Sequence, residues 1–319
     1  MNAQTLTSLG RSLLPVILRR GGQALAVGVL VGMLSFLMIR WLPGDFAYRI
    51  AAGRYGYDLV SAEAAEAVRR ELALDAPWYV ALAGWWQQLL AFDLGNSLVI
   101  GTPVIDEIRH QLGHTLMLAG AALGLSLVIG LPLGVAAGLR PGGWADRLGL
   151  LVSVGLRAFP PFLLGLLMVI LFAGADLPAA GHGEAANLFL PALTLALGLA
   201  AGSSRIVREA IRNVLASEHY AFALTKGLSV PRAVWRHALR NTALPVVAYL
   251  GVQLVFVIEG VVILETLFAW PGIGHALVHA VFWRDVPMIQ GTCLMLALCF
   301  VMLNALVDLL CLALDPRHR

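Results

Sequence analysis

The sequence predicts an all-α integral membrane protein with six transmembrane helices, and three observations carry that expectation. The chain of 319 residues is 59% hydrophobic and 13% charged, with a mean hydropathy of +0.82. A soluble domain carries roughly a quarter charged residues. Six apolar stretches approach the length that crosses a ~30 Å hydrocarbon core at ~1.5 Å per residue. The polar segments between them differ in Arg and Lys content, the asymmetry that orients multi-span chains. A net charge of +3 gives no case for nucleic acid.

Residues 1–21 hold a weakly amphipathic stretch (Leu6, Leu9, Leu13, Ile17) ending at Arg19-Arg20, which reads as a short surface helix. A cleaved signal peptide needs a shorter apolar core and a small-residue cleavage site. The apolar run instead reaches from Gly22 to Ile39, so 22–42 is an uncleaved first span. The other spans are 116–139, 148–174, 188–204, 243–264 and 288–312. Arg157 lies within the third and Glu259 within the fifth, while Asp308 falls near the end of the last.

Six spans place both termini on one side. With the termini cytoplasmic, the inner segments hold Arg11, Arg19, Arg20, Arg140, Arg147, the seven cations of 205–242, Arg317 and Arg319. The outer segments hold only Arg49, Arg54, Arg69, Arg70, Arg109 and Arg284. The excess inside sets the orientation, with both termini cytoplasmic.

Segment 43–114 is too long for a connector and reads as a helical extracytoplasmic segment between spans 1 and 2. Ser61 can cap a helix over Ala62–Leu72, whose first turns carry Glu63 and Glu66 near the positive end of the helix dipole. A second helix covers Tyr79–Ala91, with Trp85 and Trp86 suited to a membrane interface. The segment is either a solvated cap or a docking surface for a soluble binding protein.

Segment 205–242 is the long basic loop between apolar spans. A helical pattern over Val214–Leu224 stops at Gly227, which fits a helix C′ position. Pro231 fits the first turn of a following helix running to Leu244. The loop therefore reads as helix, glycine turn, helix: a compact knuckle on the membrane surface.

Ala221-Phe222-Ala223, then Gly227, then His237-Ala238-Leu239 resembles the "EAA…G" loop of ABC importer permeases, above all those of the dipeptide, oligopeptide and nickel subfamily. Ala221 stands where an acidic residue is usual, His237 where isoleucine is and Arg240 where proline is. The resemblance spreads over nearly the whole chain. It takes in Pro43-Gly44-Asp45, Leu74-Asp75-Ala76-Pro77, Phe92–Ser97, Pro103-Val104 and Pro132-Leu133-Gly134 in the first half. Leu190–Leu193, Glu265 with Phe268, Trp270–Gly274, Arg284–Pro287 and Asp315-Pro316-Arg317 continue it. Phe46 follows Asp45 where proline is common.

The resemblance implies a type I ABC importer permease fold and a place in an assembly. That assembly has a second homologous permease, two ATPase subunits carrying ATP and Mg, and an extracytoplasmic substrate-binding protein, all set in the lipid bilayer. The coupling residues implied are Glu218, Ala221, Phe222, Ala223, Lys226, Gly227, His237 and Leu239. Binding-protein docking falls to Asp45, Trp85, Trp86, Arg284 and Asp285.

No G-x-x-x-x-G-K-[ST] phosphate loop is present, so the chain is not expected to be an enzyme or to bind a cofactor of its own. Charges within spans cost at least ~2.5–3.5 kcal/mol at the bilayer centre. Arg157, the break at Pro160 and Glu259 are therefore candidates to line a translocation path and meet the two ends of a peptide. The alternative has Arg157 snorkelling to the interface and Glu259 paired inside the bundle. Asp308, one turn beyond Asn304, reads as a packing or interface residue.

His110/His114 and His275/His279 each sit at i, i+4, a spacing metal sites use. With few acids near, they read as partly exposed interface histidines, and no metal is assigned. Cys293, Cys299 and Cys311 all fall in the last span and read as small packing residues.

Dipeptide, oligopeptide, nickel and metal-chelate cargo all stay open, and peptide leads on the two signs of charge along the path. An ion-coupled secondary transporter is the rival class, but only Glu259 and Asp308 are intramembrane carboxylates and no inverted repeat is evident. A structural membrane protein would not need the knuckle.

Overall fold

A computed structural model describes residues 3–41, 44–56, 60–71, 77–91, 93–172, 185–235 and 240–314. Among these the protein is helical nearly throughout, its only β feature an isolated bridge between Asn96 and Pro103. The helices in chain order are α1 (Ala3–Trp41), α2 (Phe46–Tyr55), α3 (Ala62–Glu71), α4 (Trp78–Leu90) and α5 (Val104–Leu139). They continue with α6 (Trp144–Ala158), α7 (Pro161–Phe172), α8 (Phe189–Leu215), α9 (Glu218–Thr225) and α10 (Val230–Ala233). The last are α11 (Arg240–Leu267), α12 (Ile273–Trp283) and α13 (Val286–Leu314).

Among the described residues three helices are each long and apolar enough to cross a bilayer, over Val104–Leu139, Ala186–Leu215 and Val286–Leu314. Two bent pairs, α6 with α7 and the halves of α11, bring the number to five. Of the span expected at 22–42, residues 22–41 belong to α1, and Leu42 lies outside the described residues.

Several helices outrun or break the apolar stretches that suggested them. The stretch expected at 148–174 is, in its described part to Phe172, two helices at 105° rather than one rod. Phe159, held extended (φ −89°, ψ 129°) by the proline after it, makes the break. α8 continues past Ser204 to Leu215 because its arginines find carboxylate partners, described below. α5 starts at Val104, inside the segment expected to be extracytoplasmic, with Asp106 and Glu107 in its first turn. Gly272 is the N-cap of α12, and Ala269 before it takes a positive φ of 51°.

The chain divides into two compact units. One comprises Met1–Gly21, Leu116–Trp270 and Phe300–Arg319. Its core forms around α8, which packs against α6, α7 and α11. Leu190, Leu195 and Leu199 of α8 meet Val257, Val261 and Leu264 of α11, and Phe268 just beyond it, in the largest apolar cluster. Buried Gln253 ties the same pair by donating to the Leu199 carbonyl (2.7 Å) and Ser203 Oγ (3.0 Å). The Arg20 guanidinium pairs with Asp308 at 2.8 Å, tying α1 to α13.

A row of glycines lets α5 approach α8 at backbone contact. A Cβ on Gly134 would stand 2.6 Å from the Ser204 carbonyl oxygen and from Val207 Cβ. One on Gly138 would stand 2.8 Å from Ile211 Cβ, and one on Gly130 3.2 Å from the Ala200 carbonyl oxygen. Association in lipid relies on such close packing, because apolar side chains gain little by leaving the acyl chains.

The second unit comprises Gly22–Thr115 and Pro271–Cys299. Ser61 caps α3 as expected, its Oγ accepting from Ala64 N at 3.1 Å. α2, unforeseen in the sequence, is capped by Asp45 and packs on α3 through Ala47, Ile50, Ala51, Ala65 and Val68. The Arg54 guanidinium binds Glu71 at 2.7 Å and holds its carboxyl below the usual range. A second cluster joins Val104 and Ile108 of α5 to Ile273 and Ala280 of α12 and Met288 and Ile289 of α13.

Replacing Gly134 with valine should destabilise the detergent-solubilised protein by roughly 1–3 kcal/mol, the usual cost of overpacking. Gly124→Ala, where a Cβ meets nothing within 4 Å, should leave the thermal midpoint unchanged. Equal midpoints for the two variants would remove the close contact with α8 from the account.

Candidate functional site

The knuckle begins where α8 ends. Ser217 (φ −81°, ψ 149°) caps α9: its Oγ accepts from Tyr220 N at 3.4 Å and donates to the Val214 carbonyl at 2.6 Å. Glu218 occupies the first turn of α9, where the dipole favours a carboxylate. Tyr220 and Ala223 face inward, while Ala221 and Phe222 face out.

The helix closes in a Schellman motif, with Gly227 N bonding the Leu224 carbonyl (2.9 Å) and Leu228 N the Ala223 carbonyl (3.2 Å). Gly227 takes φ +85°, which L side chains rarely adopt, so glycine is required by the backbone itself. Pro231 then sits in the first turn of α10, as its missing N–H favours. Ala233 anchors α10 in the core at 0% exposure.

What the knuckle leaves outside is apolar. Phe222, Val230 and Trp235 are 60%, 57% and 76% exposed, flanked by exposed Glu218, His219, Lys226 and Arg232. The Lys226 ammonium lies 4.7 Å from the Phe222 ring centroid, which fixes the ring outward. Exposed large apolar side chains with a charged rim mark a protein contact. Val230 and Trp235 were not singled out in the sequence; the aromatic residue four positions after Pro231 was the available signal. His237 and Leu239 lie outside the described residues.

A carboxylate missed in the sequence holds α6 to α8 behind the knuckle. Asp146, in the first turn of α6, accepts from Arg208 Nε (2.5 Å) and Nη2 (2.6 Å), and from the Gly142 N–H (2.9 Å). Arg205 approaches at 3.5 Å. The fork-to-fork pair sets angle as well as distance. Its side chains are only 8% (Asp146) and 14% (Arg208) exposed.

The path candidates are partly brought together. Arg157 ends α6, exposed, with Nη2 3.5 Å from Tyr249 Oη and its guanidinium 5.8 Å from the Phe256 ring centroid. Both partners belong to α11. Pro160 lies in the bend between α6 and α7. Glu259 belongs to α11, but its side chain lies outside those described. Glu265 on the same helix is a fully buried carboxyl that motif matching flagged without a role.

In the second unit the proposed docking residues divide. Arg284 and Asp285 are only 7% and 3% exposed and act as internal ties, a correction to the docking role expected of them. Arg284 takes the left-handed C-cap of α12 (φ 56°) and donates to the Gly44 carbonyl at 3.0 Å. Burial, and then Arg49, push its guanidinium below the usual arginine range. Asp285 accepts from Ser97 Oγ, from Leu98 N (3.1 Å) and from Met288 N (3.3 Å). Asp45 caps α2 and pairs with Arg69 at 2.9 Å, part-exposed. Trp85 and Trp86 stack edge-on at 4.9 Å, with Trp85 over Gly32 of α1.

Removing Arg208 leaves the Asp146 carboxylate only Arg205 at 3.5 Å and the Gly142 N–H, so Arg208→Met should cost up to about 3–5 kcal/mol, the usual penalty for breaking a buried ion pair. Adding Asp146→Asn should recover part of that loss in thermal unfolding. A double variant as unstable as the sum of the singles would show that the two groups do not interact.

Comparisons with known proteins agree with this architecture. A family profile described as "Binding-protein-dependent transport system inner membrane component" matches residues 130–319. The glutathione transport system permease protein GsiC of Pectobacterium atrosepticum is 35% identical over 293 residues, 91% of this chain and 94% of its own. Its counterparts in Escherichia coli K12 and Salmonella typhimurium LT2 are also 35% identical, again over 91% of this chain. A solved amino acid ABC transporter with histidines superposes at TM-score 0.50 and 15% identity, over 67% of this chain and 94% of that one, a likeness of fold alone. The chain therefore belongs to the binding-protein-dependent inner membrane permeases of ABC importers, with the type I fold, working with ATPase and substrate-binding subunits in a bacterial inner membrane.

Proposed function

We propose that this chain is the permease of a peptide importer, forming half of the translocation path beside a second, homologous permease. The knuckle carries the proposal: α9, the Gly227 turn and α10 present Phe222, Val230 and Trp235 on a rigid base. In this reading the knuckle docks on one of two ATPase subunits in the cytoplasm, where both termini also lie. ATP and Mg are held by those partners, and the chain binds no cofactor and hydrolyses nothing itself.

Loaded binding protein docks outside, over Asp45 and the α4 tryptophans. Closure of the ATPases moves α8 and α11 as rigid bodies and opens the cavity in turn to each side. Arg157 offers a guanidinium to the peptide carboxylate. The glutathione permeases named above, whose cargo is itself a small peptide, support the peptide class.

Gly227→Pro cannot adopt φ +85°, since proline is locked near −65°. In the reconstituted complex this variant should stay assembled yet lose stimulation of ATP hydrolysis by loaded binding protein. Full stimulation in the variant would sink the coupling role. Uptake of labelled di- and tripeptides into proteoliposomes tests the cargo. Arg157→Gln should slow it on the order of tenfold or more, the worth of a hydrogen bond to a charged group. Uptake of nickel but of no peptide would overturn the peptide reading.

A further inference from the structure

α12 carries two imidazoles one turn apart whose relation goes beyond packing. The His275 and His279 rings meet edge-on at 4.5 Å, and their Nε2 atoms lie 3.2 Å apart. Two nitrogens bound to one metal at about 2.0–2.1 Å stand roughly 2.9 Å apart at a right angle and roughly 3.3 Å apart at the tetrahedral angle. The observed separation falls inside that bite.

Both rings line a cavity of about 290 Å³, roofed by Val99 and Ile100 and walled across by His110 and Gln111 of α5. Gln111 spends its amide nitrogen on Glu107 (3.3 Å) while its Oε1 is buried without a hydrogen-bond partner. Asp285 also borders the space. Its oxygens are committed to Ser97, Leu98 and Met288, so it supplies negative charge rather than a ligand atom. Imidazole nitrogens, an orphaned amide oxygen and a nearby carboxylate suit a cation.

We propose that His275 and His279 chelate a divalent transition-metal ion in this cavity, with its other positions open to water or a small chelating ligand. Among the described residues no group of three or more His, Cys, Asp or Glu side chains gathers at metal-binding range. The site is thus an open two-imidazole one that exchanges its ion, unlike the closed four-ligand sites that hold structural zinc. Imidazole favours Zn²⁺, Ni²⁺ and Cu²⁺ over Mg²⁺ and Ca²⁺.

Without metal the two Nε2 atoms share one hydrogen bond. On binding, the donating ring moves its proton to Nδ1 so that both Nε2 lone pairs face the ion. A neutral pair therefore releases no proton, and each imidazolium releases one. Protons compete with the metal for the same nitrogens, so affinity weakens as the pH falls. The proposal does not depend on the peptide reading.

The test uses the complete transporter complex purified without a polyhistidine tag, titrated with Ni²⁺ and with Zn²⁺ by equilibrium dialysis. Wild type should bind one ion more per copy of this subunit than the His275→Gln/His279→Gln double variant. Either single variant should weaken that site on the order of tenfold or more, the scale on which metal-site changes act. Cu²⁺ bound to wild type should show hyperfine coupling to two imidazole nitrogens in electron paramagnetic resonance. That spectrum decides the matter alone if the variants fail to assemble. Equal stoichiometry and affinity in the double variant, no saturable binding in wild type, or a signal without two-nitrogen coupling would each overturn the proposal.

Discussion

The first unit depends on how closely helices can approach α8. Inside a bilayer there is no hydrophobic gain from burying a leucine against another helix rather than against lipid, so contact area and shape must supply the attraction. Gly130, Gly134 and Gly138 on α5 reduce one face of that helix to backbone, and Gly202 on α8 and Gly260 on α11 do the same for their neighbours. A Cβ on Gly202 would stand 2.3 Å from Tyr249 Oη, and one on Gly260 2.7 Å from Leu195. Five small positions thus set the spacing around α8, and the larger side chains fill what remains. Cores packed this way switch between discrete arrangements rather than deform smoothly.

Polar groups in that unit follow the same economy. Gln253 is buried because it meets a carbonyl and a hydroxyl on α8, and Asp146 because it meets the Arg208 fork and a backbone N–H. Each replaces water with fixed partners and ties one more element to α8. The second unit repeats the device with Asp285, whose three donors come from two separate stretches of chain. Buried charge here fixes geometry between elements.

The all-helical class, the glycine turn at Gly227, the Ser61 cap and the break at Pro160 were legible in the sequence, because each rests on local chemistry. Apolar length is local, a left-handed glycine is local, and a proline forbids the helix beside it whatever lies around it. Misreadings came where partners distant in sequence decide. α8 outran Ser204 because Arg208 finds a carboxylate 62 residues away. Arg284 and Asp285 looked like surface charges because nothing nearby marks Gly44 or Ser97, 240 and 188 residues away, as their partners. Trp235 went unmarked because its exposure depends on where Ala233 is anchored.

The knuckle gains its mechanical sense from what lies behind it. Behind Phe222 and Trp235, Tyr220, Ala223 and Ala233 all face inward, and α9 packs against both α8 and α10. Ser217 and the Schellman closure at Gly227 fix the ends of α9, so the short helix turns as one piece with its base. Two to three turns back along α8, Arg208 and Arg205 hold Asp146 at the start of α6. The fork-to-fork geometry of the closer pair resists rotation as well as separation. α6 in turn ends at Arg157 and the bend before α7, where the path candidates lie. In the proposed coupling, a tilt at the knuckle would reach Arg157 through one ion pair and one helix. The carboxylate of Asp146 is the joint at which that transmission is held or lost.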